Sequence, residues 1–233
     1  MTSTPVALIT GASRGLGRAL AQSLSARGWR LVLDGRDRAR LAAIVEELPS
    51  AVAVAGDVTD PGHRNALQVA VEAFDRLDLL VNNASDLGPS PLPRLADHPV
   101  DALRAVYETN AVAPVALCQL VLPLLRASSG TVLNLSSDAA VEAYEGWGGY
   151  GSSKAALDQV SAVLAVEEPW LRVYAVDPGD MRTDMHQLAF PGEDISDRPL
   201  PEEVVPSLLH LLDVAPASGR YRAADWATAG VAR

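Results

Sequence analysis

Short apolar runs recur along the chain, and each of them ends in a turn. They are continuous rather than alternating in polarity, which is typical of strands that are buried on both faces of a parallel sheet. Stretches with helical spacing separate them, and Asp60-Pro61 has the pattern of an N-cap followed by proline at the first helical position. We therefore predict a single doubly wound α/β domain over residues 1–233. The predicted strands are Pro5–Thr10, Arg30–Leu33, Ala51–Ala55, Leu77–Val81, Thr131–Leu135 and Leu171–Val176, and the predicted helices are Leu16–Arg27, Arg38–Leu48, Pro61–Phe74, Val100–Leu125 and Gly151–Glu168.

The charge balance limits the partners of the chain. Its formal net charge is −10, which argues against contact with a phosphate backbone, so we expect no nucleic-acid partner. The first residues lack the pattern of a signal peptide, and no apolar run reaches membrane-spanning length. From these features we expect a cytoplasmic protein that makes no membrane contact.

Cysteine and histidine usage gives no sign of a disulfide or a metal. Cys118 is the single cysteine, so it forms no disulfide within the chain, and its apolar neighbours predict a packed thiol. The four histidines are scattered without the spacing of metal ligands, so we expect no metal site.

One basic residue differs from all the others. Of the 19 basic residues, 18 are arginines and one, Lys154, is a lysine. Tyr150 precedes it by four residues, and residues at that spacing share one face of a helix. Lysine is a compact cation whereas arginine is a planar fork, so a position that keeps lysine indicates a small cation packed beneath another group.

A glycine turn follows the first predicted strand, in the sequence Thr10-Gly11-Ala12-Ser13-Arg14-Gly15-Leu16-Gly17. Glycines between a buried strand and a helix allow a tight turn and a close approach of the backbone to a phosphate, which then faces the helix N-terminus. The spacing Gly-x-x-x-Gly-x-Gly, combined with Tyr150 and Lys154, resembles the short-chain dehydrogenase/reductase family.

The resemblance covers nearly the whole chain, because further motifs of the family occur in register. They are Asp57 after the third strand, Asn82-Asn83-Ala84-Ser85 after the fourth, Asn110 in the long central helix, Ser137 thirteen residues before Tyr150, and Pro178-Gly179 with Thr183 after the sixth strand. Two positions depart from the pattern. Ser85 replaces a glycine expected near the adenine ribose, and Tyr174 stands where many members have asparagine.

The resemblance implies a single Rossmann-like domain with a seven-stranded parallel sheet, in the order 3-2-1-4-5-6-7, and helices on both faces. It also implies an oxidoreductase that moves a hydride between a nicotinamide cofactor and a carbonyl or alcohol. Tyr150 would act as the acid in reduction or the base in oxidation, and Lys154 would also hold the nicotinamide ribose. A cation about 4 Å away could lower the pKa of Tyr150 by up to about three units.

Two further roles follow from the resemblance. Ser137 would hydrogen-bond the substrate oxygen as that oxygen gains charge, whereas Ser136 is expected to face the other side of the strand. Asn110 would hold a water that links Lys154 to solvent. The predicted catalytic residues are therefore Asn110, Ser137, Tyr150 and Lys154.

The residues after the second strand bear on the choice of cofactor. Asp34 ends this strand, but alignment with the family puts the residue that reads an NAD ribose at Gly35. Arg36 follows, Arg14 lies in the glycine turn, and two cations suit the 2′-phosphate of NADP, so we expect NADP (NADPH) to be preferred over NAD. The expected cofactor-binding residues are Gly11, Ser13, Arg14, Gly15, Leu16, Gly17, Arg36, Asp57, Val58, Asn83, Ala84, Ser85, Tyr150, Lys154, Pro178, Gly179, Met181 and Thr183.

Two segments with loop composition, Ser85–Pro99 and Gly179–Pro201, are candidates for contact with substrate. The second is long for a compact domain, and we expect residues 179–201 to form a substrate-binding lid. Gly146-Trp147-Gly148 is similar to sepiapterin- and benzil-reductase-like members of the family, which implies a flat or aromatic carbonyl substrate. The expected substrate-binding residues are Ser137, Trp147, Tyr150 and Met185, and the other candidate wall residues are Asp86, Leu87, Ala139 and Tyr144.

Two alternative functions stay open at this point. One is a catalytically silent NADP-binding regulator on the same fold, which the complete catalytic set disfavours. The other is a 3-oxoacyl carrier-protein reductase, which is disfavoured because the chain and an acidic carrier protein would repel each other.

The apolar helices predict self-association. Ala111–Leu125 is apolar almost all round, and one sheet covers only one face of such a helix. The helix that carries Lys154 offers a second apolar surface, and in the family these two helices meet their symmetry mates. We therefore expect a homodimer or homotetramer.

Overall fold

A seven-stranded parallel sheet forms the centre of the protein, whose computed structural model describes residues 4–227. The strands are β1 (Val6–Ile9), β2 (Arg30–Gly35), β3 (Ala51–Ala55), β4 (Leu79–Asn82), β5 (Thr131–Leu135), β6 (Arg172–Asp177) and β7 (Gly219–Arg222). They are ordered β3-β2-β1-β4-β5-β6-β7, and every neighbouring pair is parallel. This arrangement confirms the order expected from the sequence.

Helices cover both faces of the sheet, as the doubly wound pattern predicts. They are α1 (Gly15–Ala26), α2 (Arg38–Glu47), α3 (Pro61–Glu72), α4 (Val100–Tyr107), α5 (Ala113–Ser128), α6 (Gly148–Glu167), α7 (Asp184–Ala189) and α8 (Pro201–Val214). Residues of α1, α2 and α8 belong to one apolar cluster, and residues of α3 and α5 belong to a second cluster on the opposite face.

Each central strand contributes side chains to both clusters, because successive side chains of a strand point to opposite faces of the sheet. In β1, Val6 and Leu8 pack on the α3/α5 side, whereas Ala7 and Ile9 pack on the α1/α2/α8 side. All four are fully buried, which explains why the run is continuously apolar.

The third strand differs from this expectation. β3 lies at the edge of the sheet and pairs only with β2, and its Val52 and Ala53 side chains are exposed. The prediction that it is buried on both faces was therefore wrong. An apolar run of five small residues does not distinguish an edge strand from a central one.

The long central helix contains a wide turn that the sequence pattern did not predict. A π-helical turn, Glu108–Val112, separates α4 from α5. Pro114 follows within α5, and proline has no N–H with which to bond the carbonyl of Asn110, so regular helical bonding is interrupted there. This interruption falls on one of the predicted catalytic residues.

The same continuous stretch, Val100–Ser128, is the one helix among the described residues whose length and composition would suffice to cross a membrane. The apolar run noted in the sequence, Ala111–Leu125, is shorter than a membrane span, and the helix meets the criterion because it extends beyond this run at both ends. Its inner face, including Leu117 and Val121, is buried against the sheet, so packing as a core helix accounts for its apolar composition.

The last elements were not located individually from the sequence. β7 has the sequence Gly-Arg-Tyr-Arg and contains no apolar run, and α8 was not distinguished from the segment before it. α7 is a short helix inside the segment expected to be a loop. Single-sequence patterns locate such short or polar elements poorly because little apolar periodicity marks them.

A buried hydrogen bond between Asp34 and His63 fixes the end of β2 beneath the glycine turn. The carboxylate of Asp34 lies 2.6 Å from Nε2 of His63 and accepts a bond of 3.3 Å from the Gly11 N–H. The Asp34 carbonyl also accepts from the Ala12 N–H at 2.7 Å. Asp34 is 2% exposed, so it supports the turn from below and is not presented to a ribose.

Candidate active site

A cavity of about 400 Å³ opens where β5 and β6 end and α6 begins. Ligands of doubly wound sheets bind at this carboxyl edge, because the loops that follow the strands converge there. The cavity is lined by Leu87, Ser136, Ser137, Asp138, Tyr144, Trp147, Tyr150, Asp177, Pro178, Gly179, Asp180, Met181, Thr183, Met185, His186, Ala189 and Phe190.

Tyr150 and Ser137 face the same cavity because α6 approaches the end of β5 very closely. Gly151 occupies the contact, and a Cβ atom there would lie 2.5 Å from the carbonyl oxygen of Ala139. Only glycine fits at that distance. The first turn of α6 is thereby held against the turn that carries Ser137.

The ammonium of Lys154 is buried beneath Tyr150. The residue is 2% exposed, and its Nζ donates a hydrogen bond of 2.7 Å to the carbonyl of Leu135 and lies 5.5 Å from the centre of the Tyr150 ring. Burial lowers the pKa of Lys154 to about 8, against an opposing effect of the Asp158 carboxylate. The residue is therefore a cation at neutral pH that loses its charge under mildly alkaline conditions.

The pKa of Tyr150 corrects the expectation from the sequence. Burial raises this pKa to about 12; hydrogen bonding with Ser85 and Ser137 lowers it, and the charges of Asp138 and Asp177 raise it. The expected shift toward neutrality was wrong, because it considered the nearby cation without the burial of the phenol and the two carboxylates. Tyr150 is accordingly a protonated hydroxyl at neutral pH.

The Ser137 hydroxyl already has a partner. Its Oγ donates to Oδ1 of Asp138 at 2.9 Å and accepts from the Ala139 N–H at 3.2 Å. Oδ2 of Asp138 accepts a bond of 3.0 Å from the Tyr144 hydroxyl. Ser136 also lines the cavity, contrary to expectation, because β5 ends at Leu135 and the alternation of a strand no longer applies.

The amide of Asn110 joins the loop after β4 to α6. Its Oδ1 accepts from the Ser85 hydroxyl at 3.1 Å and from the Asp86 N–H at 2.7 Å. Its Nδ2 donates to the Asp86 carbonyl at 2.8 Å and to the Ser153 hydroxyl at 2.9 Å. The amide is thus fully bonded within the protein, so a relay water would have to use its backbone carbonyl. Ser85 lies in this network beside Tyr150, and its expected place near an adenine ribose stays a prediction.

The glycine turn has the shape and the free donors that a dinucleotide phosphate requires. Gly11 and Gly15 have φ values of +64° and +56°, and a Cβ at Gly17 would lie 2.5 Å from the Gly11 carbonyl oxygen. No side chain among the described residues caps α1, which begins there, so its first N–H groups are available to an anion. Asn83 Nδ2 bonds the carbonyls of Thr10 and Gly11 and stabilises the turn. These features fit a nicotinamide dinucleotide.

The two arginines expected at the 2′-phosphate have different surroundings. Arg14 forms a 2.8 Å salt bridge with Asp184 at the start of α7. Arg36 follows β2 and lies near Asp57. Burial raises the pKa of the Asp57 carboxyl, but hydrogen bonds from Thr59 and the charge of Arg36 lower it, and the net pKa is below its usual value. Asp57 therefore lies near Arg36, and its neighbour Val58 is buried.

The structure brings together most of the expected substrate-binding residues. Ser137, Trp147, Tyr150 and Met185 all line the cavity, as do Leu87 and Tyr144. Two candidate residues do not line it: Ala139 belongs to a neighbouring groove, and the Asp86 carboxylate accepts from the Gly88 N–H.

Several cavity residues were not identified from the sequence. Asp138 follows β5 and Asp177 is the last residue of β6, whereas His186 and Phe190 belong to the α7 region. The signal for this last group was present, because Met185 and Ala189, like His186 and Phe190, are four residues apart and share a helical face. Thr183 caps this helix through a 3.1 Å bond from the His186 N–H.

The burial of Lys154 predicts a dependence of stability on pH. Its folded pKa lies below that of an unfolded lysine, so its charge destabilises the fold fully below pH 8, and this penalty is removed as pH rises from about 8 toward 10.5. Relative to Lys154→Met, the wild-type free energy of unfolding should therefore increase by about 2–3 kcal/mol between pH 7 and pH 10. Denaturant unfolding of both proteins at the two pH values measures this difference, and a constant difference would contradict the burial of a charged lysine.

Comparison with known proteins identifies the family. The chain matches the family described as short chain dehydrogenase over residues 5–194. It is 37% identical over 202 residues to sepiapterin reductase from Meriones unguiculatus, with 79% of this chain and 77% of that protein covered. It is 37% identical over 182 residues to serine 3-dehydrogenase from Rhizobium radiobacter, with 76% and 72% covered.

Solved structures with a similar fold belong to the same family. A short-chain dehydrogenase from Shigella flexneri 2a strain 301, solved as a complex with NADP, superposes with a TM-score of 0.87 at 29% identity, covering 94% of this chain and 97% of that one. The matched sequence and the matched fold agree with the glycine turn and the Tyr150–Lys154 pair described above. The chain therefore belongs to the short-chain dehydrogenase family of oxidoreductases.

Proposed function

We propose that the protein is an NADP(H)-dependent oxidoreductase that interconverts a ketone or aldehyde with an alcohol. The observation that carries this proposal is that Tyr150 and Ser137 line one cavity, with the buried ammonium of Lys154 5.5 Å from the centre of the Tyr150 ring. A regulator that only binds cofactor has no need of a buried cation, which is costly to maintain beneath a phenol.

The cofactor would be held along the carboxyl edge of the sheet. The N–H groups of the glycine turn suit its pyrophosphate, Asp57 and Val58 its adenine, and the cavity wall from Pro178 to Thr183 its nicotinamide side. When bound, the nicotinamide supplies the hydride for reduction of the carbonyl carbon, or accepts it in the reverse direction.

The protein itself manages the proton and the charge on oxygen. In reduction, Tyr150 donates its hydroxyl proton to the substrate oxygen, and the pKa of about 12 keeps that proton in place at neutral pH. Ser137 donates a hydrogen bond to the same oxygen once its proton is released from Asp138. The Lys154 cation stabilises the tyrosinate that the transfer leaves behind.

We further propose a preference for NADP over NAD. Gly35 lacks the carboxylate that would bond a ribose 2′-hydroxyl, Asp34 is buried against His63, and Arg36 is exposed beside the turn. A guanidinium at this position suits a 2′-phosphate. The NADP in the Shigella flexneri relative supports the proposal.

Catalysis should fail when the hydroxyl of Tyr150 is removed or the ammonium of Lys154 is replaced by a guanidinium. We expect Tyr150→Phe to lower kcat by about 10²–10⁴. Lys154→Arg should also lose turnover although the charge is kept, since a planar fork does not fit a site built for an ammonium. NADPH absorbance with a carbonyl panel measures turnover, circular dichroism checks the fold, and Tyr107→Phe is the matched control. Near-normal turnover by Lys154→Arg would refute the role assigned to this lysine.

Arg36→Ala should separate the two cofactors. The KM for NADPH should rise by about 10–100-fold, the value of one charge-assisted bond, while the KM for NADH changes little. Steady-state kinetics with each cofactor measure both values, and Arg104→Ala on α4 removes the same charge far from the glycine turn. An equal rise in KM for NADPH and NADH would show that Arg36 does not bind the 2′-phosphate.

We also propose that the protein self-associates through α5 and α6, as a homodimer or homotetramer. Val112 and Val163 are 47% and 43% exposed, and Leu120 and Leu124 are half-buried, so the outer sides of both helices remain apolar in the single chain. Apolar surface of this kind is stabilised by a symmetric contact with a second copy.

A charge in this surface should disrupt the assembly. We expect Val163→Arg to shift the protein to its 24.5 kDa monomer, because the guanidinium would be buried without a partner. Gel filtration with light scattering at micromolar concentration measures the mass, and Val214→Arg at the end of α8 serves as the control. A wild-type monomer, or a Val163→Arg protein with unchanged mass, would refute this interface.

A further inference from the structure

The substrate cavity has charge of one sign. Three aspartates line it, Asp138, Asp177 and Asp180, and among residues 4–227 no arginine or lysine does. His186 is the one titratable base in the lining of this described part of the chain. An anionic substrate would meet only carboxylates here, whereas a cation would be attracted.

The three carboxylates differ in how they are already occupied. Asp180 has Arg198 at 3.5 Å, and Asp177 is nearly buried and accepts from the Gly179 N–H at 2.9 Å. Asp138 accepts only neutral donors within residues 4–227: the hydroxyls of Ser137 and Tyr144 and the Ala139 N–H. Asp138 is therefore the acid left to bind a positive charge.

The Tyr144 hydroxyl strengthens this conclusion. It lies 3.0 Å from Oδ2 of Asp138 and 3.1 Å from Oε2 of Glu142, so one phenol proton is placed between two carboxylates. A phenol can donate to only one of them. Asp138, which lines the cavity, thus retains capacity for a further donor there.

Two polar side chains of the cavity wall also lack a partner. The Ser136 hydroxyl and Nε2 of His186 have no hydrogen bond within the described residues, and these residues are 3% and 9% exposed. Buried polar groups are nearly always bonded, but these two atoms have almost no accessible surface, so the inference does not depend on them.

We propose that the substrate is an amino ketone or amino alcohol, whose ammonium binds Asp138 while its oxygen binds Ser137 and Tyr150. This inference rests on the proposed function and specifies the substrate class of the same site. The Ser137 proton is engaged by Asp138, and an ammonium that bonds Asp138 releases it for the substrate oxygen. Because Ser137 and Asp138 are adjacent, the nitrogen belongs on a carbon next to the reacting one.

The rest of the cavity suits an aromatic substituent. Trp147 lies 5.7 Å from the Tyr150 ring and 6.0 Å from the Phe190 ring, centre to centre, and Leu87 and Met185 add apolar surface. Flat rings pack well against such walls. An aryl amino alcohol combines this group with the ammonium.

Three alcohols of nearly equal size test the inference: 2-amino-1-phenylethanol, 1-phenylethane-1,2-diol and mandelate. They carry an ammonium, a hydroxyl and a carboxylate at the same position. Each is oxidised at its carbinol, which loses a hydride to NADP⁺ and a proton to the tyrosinate form of Tyr150, from which the proton passes to solvent. We expect kcat/KM for the amino alcohol to exceed that of the diol by at least about tenfold, the value of one charge-assisted bond, and mandelate to be the poorest substrate.

Two variants assign the preference to Asp138. Asp138→Asn should bring the ratio of kcat/KM for the amino alcohol to kcat/KM for the diol close to one. Asp138→Glu should retain part of the wild-type preference for the amino alcohol. Asp101→Asn, which changes the net charge equally on the exposed side of α4, should leave the ratio as in the wild type. A preference that survives in folded Asp138→Asn, judged by circular dichroism, would overturn the assignment.

Calorimetric titration of the three alcohols separates failure of this inference from failure of the proposed function. Oxidation of the diol without preference for the amino alcohol would overturn the inference about the ammonium. It would leave the proposed oxidoreductase function supported. Selective binding of the amine, lost in Asp138→Asn but with none of the alcohols oxidised, would support charge recognition and count against the proposed catalysis. Equal binding of all three would overturn the inference.

Discussion

The candidate active site depends on the contact between α6 and the turn that follows β5. At Gly151 a hydrogen atom is the largest group that fits beneath the Ala139 carbonyl. This contact sets the distance between a helix and a strand end that are joined by only a dozen residues, and it brings Tyr150 and Ser137 to one cavity. A larger residue would separate the two hydroxyls before it affected the sheet.

Burial of the single lysine has a cost that the rest of the fold offsets. Lys154 is bonded to the Leu135 carbonyl, and its pKa falls to about 8 because the ammonium is removed from water. The surrounding core, built from both faces of seven strands, supplies the stability that tolerates this charge. Burial therefore lowers the pKa of Lys154 and raises the pKa of Tyr150, and both changes favour the protonated tyrosine.

Much of the fold was predictable because it is encoded locally. Continuous apolar runs marked the buried strands, and the glycine turn and Tyr150–Lys154 pair marked the two ends of the site. The edge position of β3 and the π turn at Asn110 were not predictable in this way, since the first depends on neighbours in the sheet and the second on the effect of Pro114 one turn later. The raised pKa of Tyr150 also escaped prediction, because it results first from burial of the phenol and then from the charges of Asp138 and Asp177, which depend on the folded structure. The substrate side was the least predictable, as α7 has few residues and its wall positions were visible only as spacings of four.

The bridge between Arg14 and Asp184 connects the two halves of the reaction site. One guanidinium links the glycine turn to the start of α7, and only its Nη1 contacts the aspartate, so its other N–H groups remain for an anion. Under the proposed cofactor role of Arg14, binding of the cofactor and the position of α7 are linked equilibria, in which each biases the other by the same factor. Both side chains are more than half exposed, so the bridge contributes no more than about 1 kcal/mol. The resulting coupling is small, and a single exposed ion pair can provide it without a moving domain.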